Sequence, residues 1–132
     1  MKNIFRALII FSIFIYAFFV AKQYFDSSFH SKETLDLLSW NGFEALLTMP
    51  SWLTWLTVLI WLPVSIGIYY FNRMARTAYL VLAITFTVTL PLFGMHVYTG
   101  TDMMLYQLTA ILDGIILTMA YLTSISAHFK NA

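Results

Sequence analysis

Four long segments of this sequence are almost free of charged residues, and they restrict the possible folds more than any other feature. They cover residues 4–21, 52–71, 78–97 and 103–127, and their only charged residues are Arg6 and Asp113. A transmembrane helix needs about 20 mostly apolar residues, each rising about 1.5 Å. The pattern therefore predicts an all-α membrane protein, a four-transmembrane-helix antiparallel bundle forming a single domain over residues 1–132.

Composition supports the same class. Only 10% of the 132 residues are charged, whereas a soluble domain has about 25%. Lipid must therefore cover most of the surface, and the bilayer is the first predicted partner. The net charge of +1 comes from scattered basic residues, so we predict no nucleic-acid partner. The lack of cysteine excludes disulfides, thiol catalysis, iron–sulfur ligation and cysteine-based zinc sites.

The first apolar segment has a second interpretation. Lys2 and Arg6, followed by the apolar run 7–20, also fit the start of a secretory signal peptide. A cleavage site there requires small residues, but Phe19 precedes the candidate exit at Ala21. We therefore expect the segment to be retained as a membrane span.

The basic residues predict the orientation, because cytoplasmic loops carry an excess of lysine and arginine. With a cytoplasmic N-terminus, five basic residues lie inside and two outside. The inner set is Lys2, Arg6, Arg73, Arg76 and Lys130, and the outer set is Lys22 and Lys32. We therefore predict a bacterial inner-membrane type of protein with both termini cytoplasmic and one large external loop, residues 22–51.

The external loop contains a helix signal. Ser31 is a candidate N-cap, and Glu33 in the first turn suits the positive end of a helix dipole. Three leucines then recur near one helical face: Leu35, Leu38 and Leu46. This pattern predicts a short interfacial helix within residues 31–47 that ends before Pro50. Two roles stay open for it, a lid on the bundle and a platform for a partner.

Asp113 is the residue most suggestive of function, because it lies roughly 15 Å into its predicted span. A carboxylate at that depth must face the protein interior, where it is either hydrogen-bonded or protonated. Tyr106 and Thr109 share its helical face, and Thr87 and Ser65 offer hydroxyls on other spans. These five residues form the predicted intramembrane polar site. Structural hydrogen bonding and a ligand, proton or ion role are both open.

No catalytic, cofactor-binding or metal-binding constellation is identifiable, so we predict none and do not expect an enzyme. The leading hypothesis is a small membrane protein that acts by association, as an accessory subunit or an immunity-type protein. Its partner would be another membrane protein or further copies of itself. The first alternative is a small oligomeric channel or transporter that uses Asp113 at the membrane midplane. A lipid- or quinone-modifying enzyme is the second.

Overall fold

The computed structural model describes residues 1–47 and 51–129, which fold into helices and turns without any strand. Five α-helices carry the architecture, and two short 3₁₀ segments follow the fourth and fifth of them. The helices are α1 Lys2–Phe29, α2 Lys32–Leu38, α3 Ser51–Tyr69, α4 Arg73–Thr89 and α5 Gly100–Leu122, and the 3₁₀ segments are Leu90–Phe93 and Ser124–Phe129. The predictions that concern Pro50 and Lys130 lie outside the described residues.

Three segments are long and apolar enough to cross a membrane. They are Lys2–Lys22, Arg73–Phe93 and Gly100–Leu122. Helix α3 contains a shorter apolar segment, Trp55–Tyr69. The structure therefore supports a helical membrane protein with three candidate spans, and the fourth crossing stays a prediction.

Local capping explains why the helix bounds differ from the hydropathy segments. Helix α4 starts at Arg73, before the predicted residue 78, because the Asn72 side chain accepts hydrogen bonds from the first-turn amides of Met74 (2.8 Å) and Ala75 (3.2 Å). It ends at Thr89, because Pro91 cannot continue the α-helical hydrogen bonding. Residues 94–97 are therefore not helical, although hydropathy includes them in the third span.

Helix α5 is also displaced from its predicted bounds of 103–127. It begins at Gly100, where Thr99 and Asp102 form a reciprocal capping box. It ends at Leu122, and the last predicted residues of the span belong to the 3₁₀ segment Ser124–Phe129.

The helices form two antiparallel pairs. Helix α3 packs along α4 through a tight turn, and α1 packs along α5. An ion pair of 2.7 Å between Lys22 and Asp102 joins α1 to the start of α5. We call the end where α1 and α4 begin the base, and the opposite end, where the chain forms α2 and the 94–99 connection, the top.

The core is concentrated at the base. The rings of Phe5, Phe71 and Phe129 contact one another with centroid separations of 5.4–6.1 Å. Other buried side chains continue this core toward the middle of the bundle: Ile9, Trp61, Ile68, Tyr79, Ile116, Ala120 and Ile125. The top half packs less closely, which leaves space for cavities.

The segment between α1 and α3, residues 30–47, has less helix than predicted, and we refer to it as the lid. Ser31 caps α2 as expected by accepting a hydrogen bond from the Thr34 amide, but α2 ends at Leu38. Gly42 and Glu44 then adopt positive φ angles, +84° and +57°, which no α-helix can include. Residues 42–47 instead pair with residues 92–95 through backbone hydrogen bonds, among them Gly42 N–H to the Met95 carbonyl at 2.7 Å.

Candidate functional site

A half-open cavity of about 510 Å³ lies among α1, α3, α4 and α5. It exists because α4 packs along α3 but meets α5 over only a short stretch. The exposed side chains of Ile84 and Val88 stand at its margin on α4. The lining is mostly apolar with a few polar groups, the usual character of a ligand or partner pocket.

Asp113 lines this cavity and is held by Tyr79. The Tyr79 hydroxyl donates a hydrogen bond of 2.5 Å to Asp113 Oδ1. Tyr79 itself is only 4% exposed, so the bond lies inside the bundle. Tyr79 belongs to α4 and Asp113 to α5, so this bond joins two helices that otherwise share only a short contact.

The structure brings four of the five predicted site residues to one cavity. Tyr106, Thr109 and Thr87 line it together with Asp113. Ser65 does not, because it is buried in the core of α3, where its hydroxyl has no hydrogen-bond partner among the described residues.

Neither threonine is bonded to Asp113. The Thr87 hydroxyl donates to the Ala83 carbonyl (2.8 Å) and the Thr109 hydroxyl to the Leu105 carbonyl (2.9 Å), one turn back along each helix. From the sequence, the candidate partners on other spans were hydroxyl groups, among them that of Thr87. The described partner is instead a tyrosine.

Tyr79 is the residue that sequence reasoning missed, because its position near the start of α4 resembles an aromatic belt position. A signal for it exists. Ala75, Tyr79, Ala83 and Thr87 recur every four residues and therefore share one helical face. Thr87 was already a predicted member of the polar site, so the same helical face places Tyr79 toward that site.

A second groove of about 480 Å³ runs between α1 and α3. Tyr16 and Trp61 line both spaces, and their rings stack at a centroid distance of 4.3 Å. The groove is almost entirely apolar. The Tyr16–Trp61 stack therefore separates an apolar groove from the cavity that contains Asp113.

The chemistry available in the cavity is hydrogen bonding within apolar walls. No group of three or more potential metal ligands occurs within residues 1–47 and 51–129. The described contacts of the Asp113 side chain use only Oδ1, and Oδ2 can accept or donate a further hydrogen bond depending on protonation. The site suits a mainly apolar group that carries one hydrogen-bonding function.

Comparison of the chain with models of known protein families, with curated proteins and with solved structures finds no match.

Proposed function

We propose that this protein crosses a bacterial inner membrane four times, with both termini in the cytoplasm. Helix α3 has a shorter described apolar segment, Trp55–Tyr69, than the three candidate spans, but its 19 residues span about 28 Å. It also packs antiparallel to α4, a candidate span. A bilayer that surrounds α4 therefore surrounds α3 as well, which supports the fourth crossing.

The absence of native cysteine makes single-cysteine labelling a clean test of this topology. Trp40→Cys lies in the lid and Met74→Cys at the base, and both positions are exposed, by 58% and 81%. A membrane-impermeant maleimide should label Trp40→Cys in intact spheroplasts and Met74→Cys only after permeabilisation. The reverse pattern would contradict the proposed orientation. Equal labelling of both positions before permeabilisation would contradict the four crossings.

Within that topology, we propose that the protein acts by association with another membrane protein, as an accessory subunit or an immunity-type protein. The observation that carries this proposal is the open cavity between α4 and α5, which offers apolar walls and the Asp113 carboxyl to a neighbouring helix. A partner helix with one hydrogen-bonding side chain would satisfy both features. Hydrogen bonds and close packing drive such helix association in lipid. The hydrophobic effect does not contribute there, because the lipid tails are as apolar as the helix surfaces.

The test is site-specific cross-linking in the native membrane. Val88→Cys places a thiol at the cavity, whereas Val81→Cys, also on α4 and also exposed, lies outside it. A thiol-attached benzophenone should give an adduct of defined mass from position 88 and not from position 81, and Asp113→Leu should diminish it. An adduct of twice the chain mass would make the partner a second copy. Equal adducts from both positions would refute cavity-directed association.

A second candidate function is a small oligomeric channel or transporter. The observation that favours it is the grouping of Asp113 with the side chains of Tyr79, Tyr106, Thr87 and Thr109 around one cavity. Intramembrane carboxyl groups often mark proton or ion pathways. This pathway would need further protomers to extend it across the bilayer.

Asp113→Asn distinguishes the two candidates, because asparagine keeps the shape and hydrogen bonding of the side chain but cannot titrate. If the protein acts by association, we expect the Asn variant to form the position-88 adduct normally, while Asp113→Leu loses it and about 0.5–2 kcal/mol of bundle stability. If the protein transports, the Asn variant should fold with an unchanged thermal transition but lose ion flux in liposomes. Tyr79→Phe is the control that removes only the hydroxyl donor to Asp113.

A further inference from the structure

The base of the bundle holds an arginine on each side of its aromatic core. The guanidinium carbon of Arg6 lies 5.0 Å from the ring centroid of Tyr69 and 5.3 Å from that of Phe71. These distances are typical of cation–π contacts, which fix the plane and position of a guanidinium group. Arg6 comes from α1 and both rings come from the end of α3 or the turn after it.

Arg76 repeats the arrangement on α4. Its guanidinium carbon lies 4.5 Å from the Tyr121 ring centroid and 5.1 Å from that of Phe129. The Phe129 ring contacts Phe71, the ring under Arg6, at 5.4 Å. Two touching phenylalanine rings therefore connect the two arginines, which helices α1 and α4 supply to the same end of the protein.

Neither arginine has an anionic partner among the described residues. Arg76 donates one hydrogen bond, from Nη1 to the Ala120 carbonyl at 3.3 Å, and Arg6 makes none within the described part of the chain. The Nε atoms of both are buried without a hydrogen-bond partner. A guanidinium carries five N–H donors, so most of the donor capacity of this pair is unused.

No described acidic side chain lies close enough to serve as a counter-ion for Arg6 or Arg76. The described acidic side chains belong to the lid, to the top of α5, or to Asp113, which Tyr79 holds deeper in the bundle. Exposed Lys2 and Arg73 add further positive charge at the base. The base of the bundle therefore carries positive charge that only an anion from outside the described chain can neutralise.

We propose that Arg6 and Arg76 each bind the phosphodiester group of an anionic phospholipid at the base of the bundle. A guanidinium fork matches phosphate oxygens in a bidentate way, and stacking on rings holds the fork in place before the lipid arrives. Two exposed apolar side chains of α1 near Arg6, those of Ile4 and Ile10, are available to the acyl chains. This site is separate from the Asp113 cavity and does not depend on its function.

Native mass spectrometry of the protein from nanodiscs tests this site. In discs of zwitterionic lipid doped with phosphatidylglycerol, we expect the protein to retain phosphatidylglycerol preferentially. Arg6→Lys with Arg76→Lys keeps both charges but removes both forks, and it should weaken retention about tenfold or more. Arg73→Lys is the matched control, because Arg73 lies in the same region but is exposed, and it should change retention less than about twofold.

Three outcomes would overturn the proposal. Equal loss in the Arg73→Lys control would show diffuse attraction to surface charge rather than a site. Equal retention of zwitterionic lipid would show that the net negative charge of the lipid is not recognised. Specific binding of inorganic phosphate in purely zwitterionic discs, displacing phosphatidylglycerol in the doped ones, would make the ligand a soluble phosphate. Unchanged thermal transitions in the lysine variants would exclude misfolding as the cause of weaker retention.

Discussion

Replacing Gly94 with alanine is expected to detach the lid from the top of the bundle. Gly94 has a φ of +76°, which L side chains rarely adopt. A β-carbon at this position would lie 2.7 Å from the Ala45 amide nitrogen and closer still to the Phe43 carbonyl oxygen. Both are backbone atoms, so no side-chain rotation can relieve the contact. The substitution therefore strains the backbone and pushes apart the two segments that pair here, residues 42–47 and 92–95.

The measurement is amide hydrogen exchange in mild detergent. The Gly42 and Met95 amides donate across this contact, at 2.7 and 2.9 Å, and in the Gly94→Ala variant they should exchange about 10–100-fold faster, which corresponds to about 1–3 kcal/mol of backbone strain. Gly100→Ala is the matched control, since a β-carbon there meets nothing within 4 Å. Unchanged protection of both amides in Gly94→Ala would show that the lid is not seated as described.

Hydropathy predicted the helices because lipid leaves the backbone few alternatives. A chain in the bilayer must satisfy its own N–H and C=O groups, and an α-helix does so within one segment. The apolar runs therefore identify α1, α4 and α5 as candidate spans without any knowledge of packing. The described apolar segment of α3 is equally apolar in character but shorter, so the assignment of α3 to the bilayer also depends on its contact with α4. No hydropathy window contains such a tertiary contact.

The errors in helix bounds have a common physical cause. Hydropathy measures how apolar a residue is, whereas helix ends depend on single capping groups. Asn72, Thr99 and Pro91 set three of these ends, and none of them changes the local hydropathy enough to be seen. The lid shows the same effect, because α2 ends at Leu38 and the positive φ of Gly42 prevents the further helix that the spacing of the leucines predicts.

The polar site was predictable in part, because helical spacing alone decides which residues of one helix share a face. Helical spacing placed Tyr106 and Thr109 on the face of Asp113, and these residues line one cavity. The bond to Tyr79 was not predictable from α5 alone, because it depends on how α4 is rotated against it. Ser65 was included in the predicted site, whereas Tyr79 was missed. The Ser65 hydroxyl is buried as expected for a polar group in an apolar helix, but it lies in the core and does not line the cavity.

The second large effect is expected at Gly67 of α3, where α3 and α4 approach each other closely. A β-carbon on Gly67 would lie 2.5 Å from the Ala75 β-carbon of α4. Small residues at such crossings allow backbones to pack closely in lipid, which stabilises helix pairs there. Gly67→Ala is therefore expected to force α3 and α4 apart and to destabilise the bundle by about 1–3 kcal/mol, the usual cost of overpacking.

A second substitution makes this prediction specific. Ala75→Gly removes the opposing methyl group, after which the new β-carbon at position 67 meets the Ala75 α-carbon at 3.9 Å, an ordinary van der Waals distance. The double variant should recover most of the thermal stability lost by Gly67→Ala, although Ala75→Gly alone costs about 1 kcal/mol of helix propensity. Gly114→Ala, where a β-carbon meets nothing within 4 Å, is the control and should not destabilise. A double variant whose loss of stability equals the sum of the losses in the two single variants would show that α3 and α4 do not cross at this pair. The antiparallel packing that supports the fourth membrane crossing would then lose its basis.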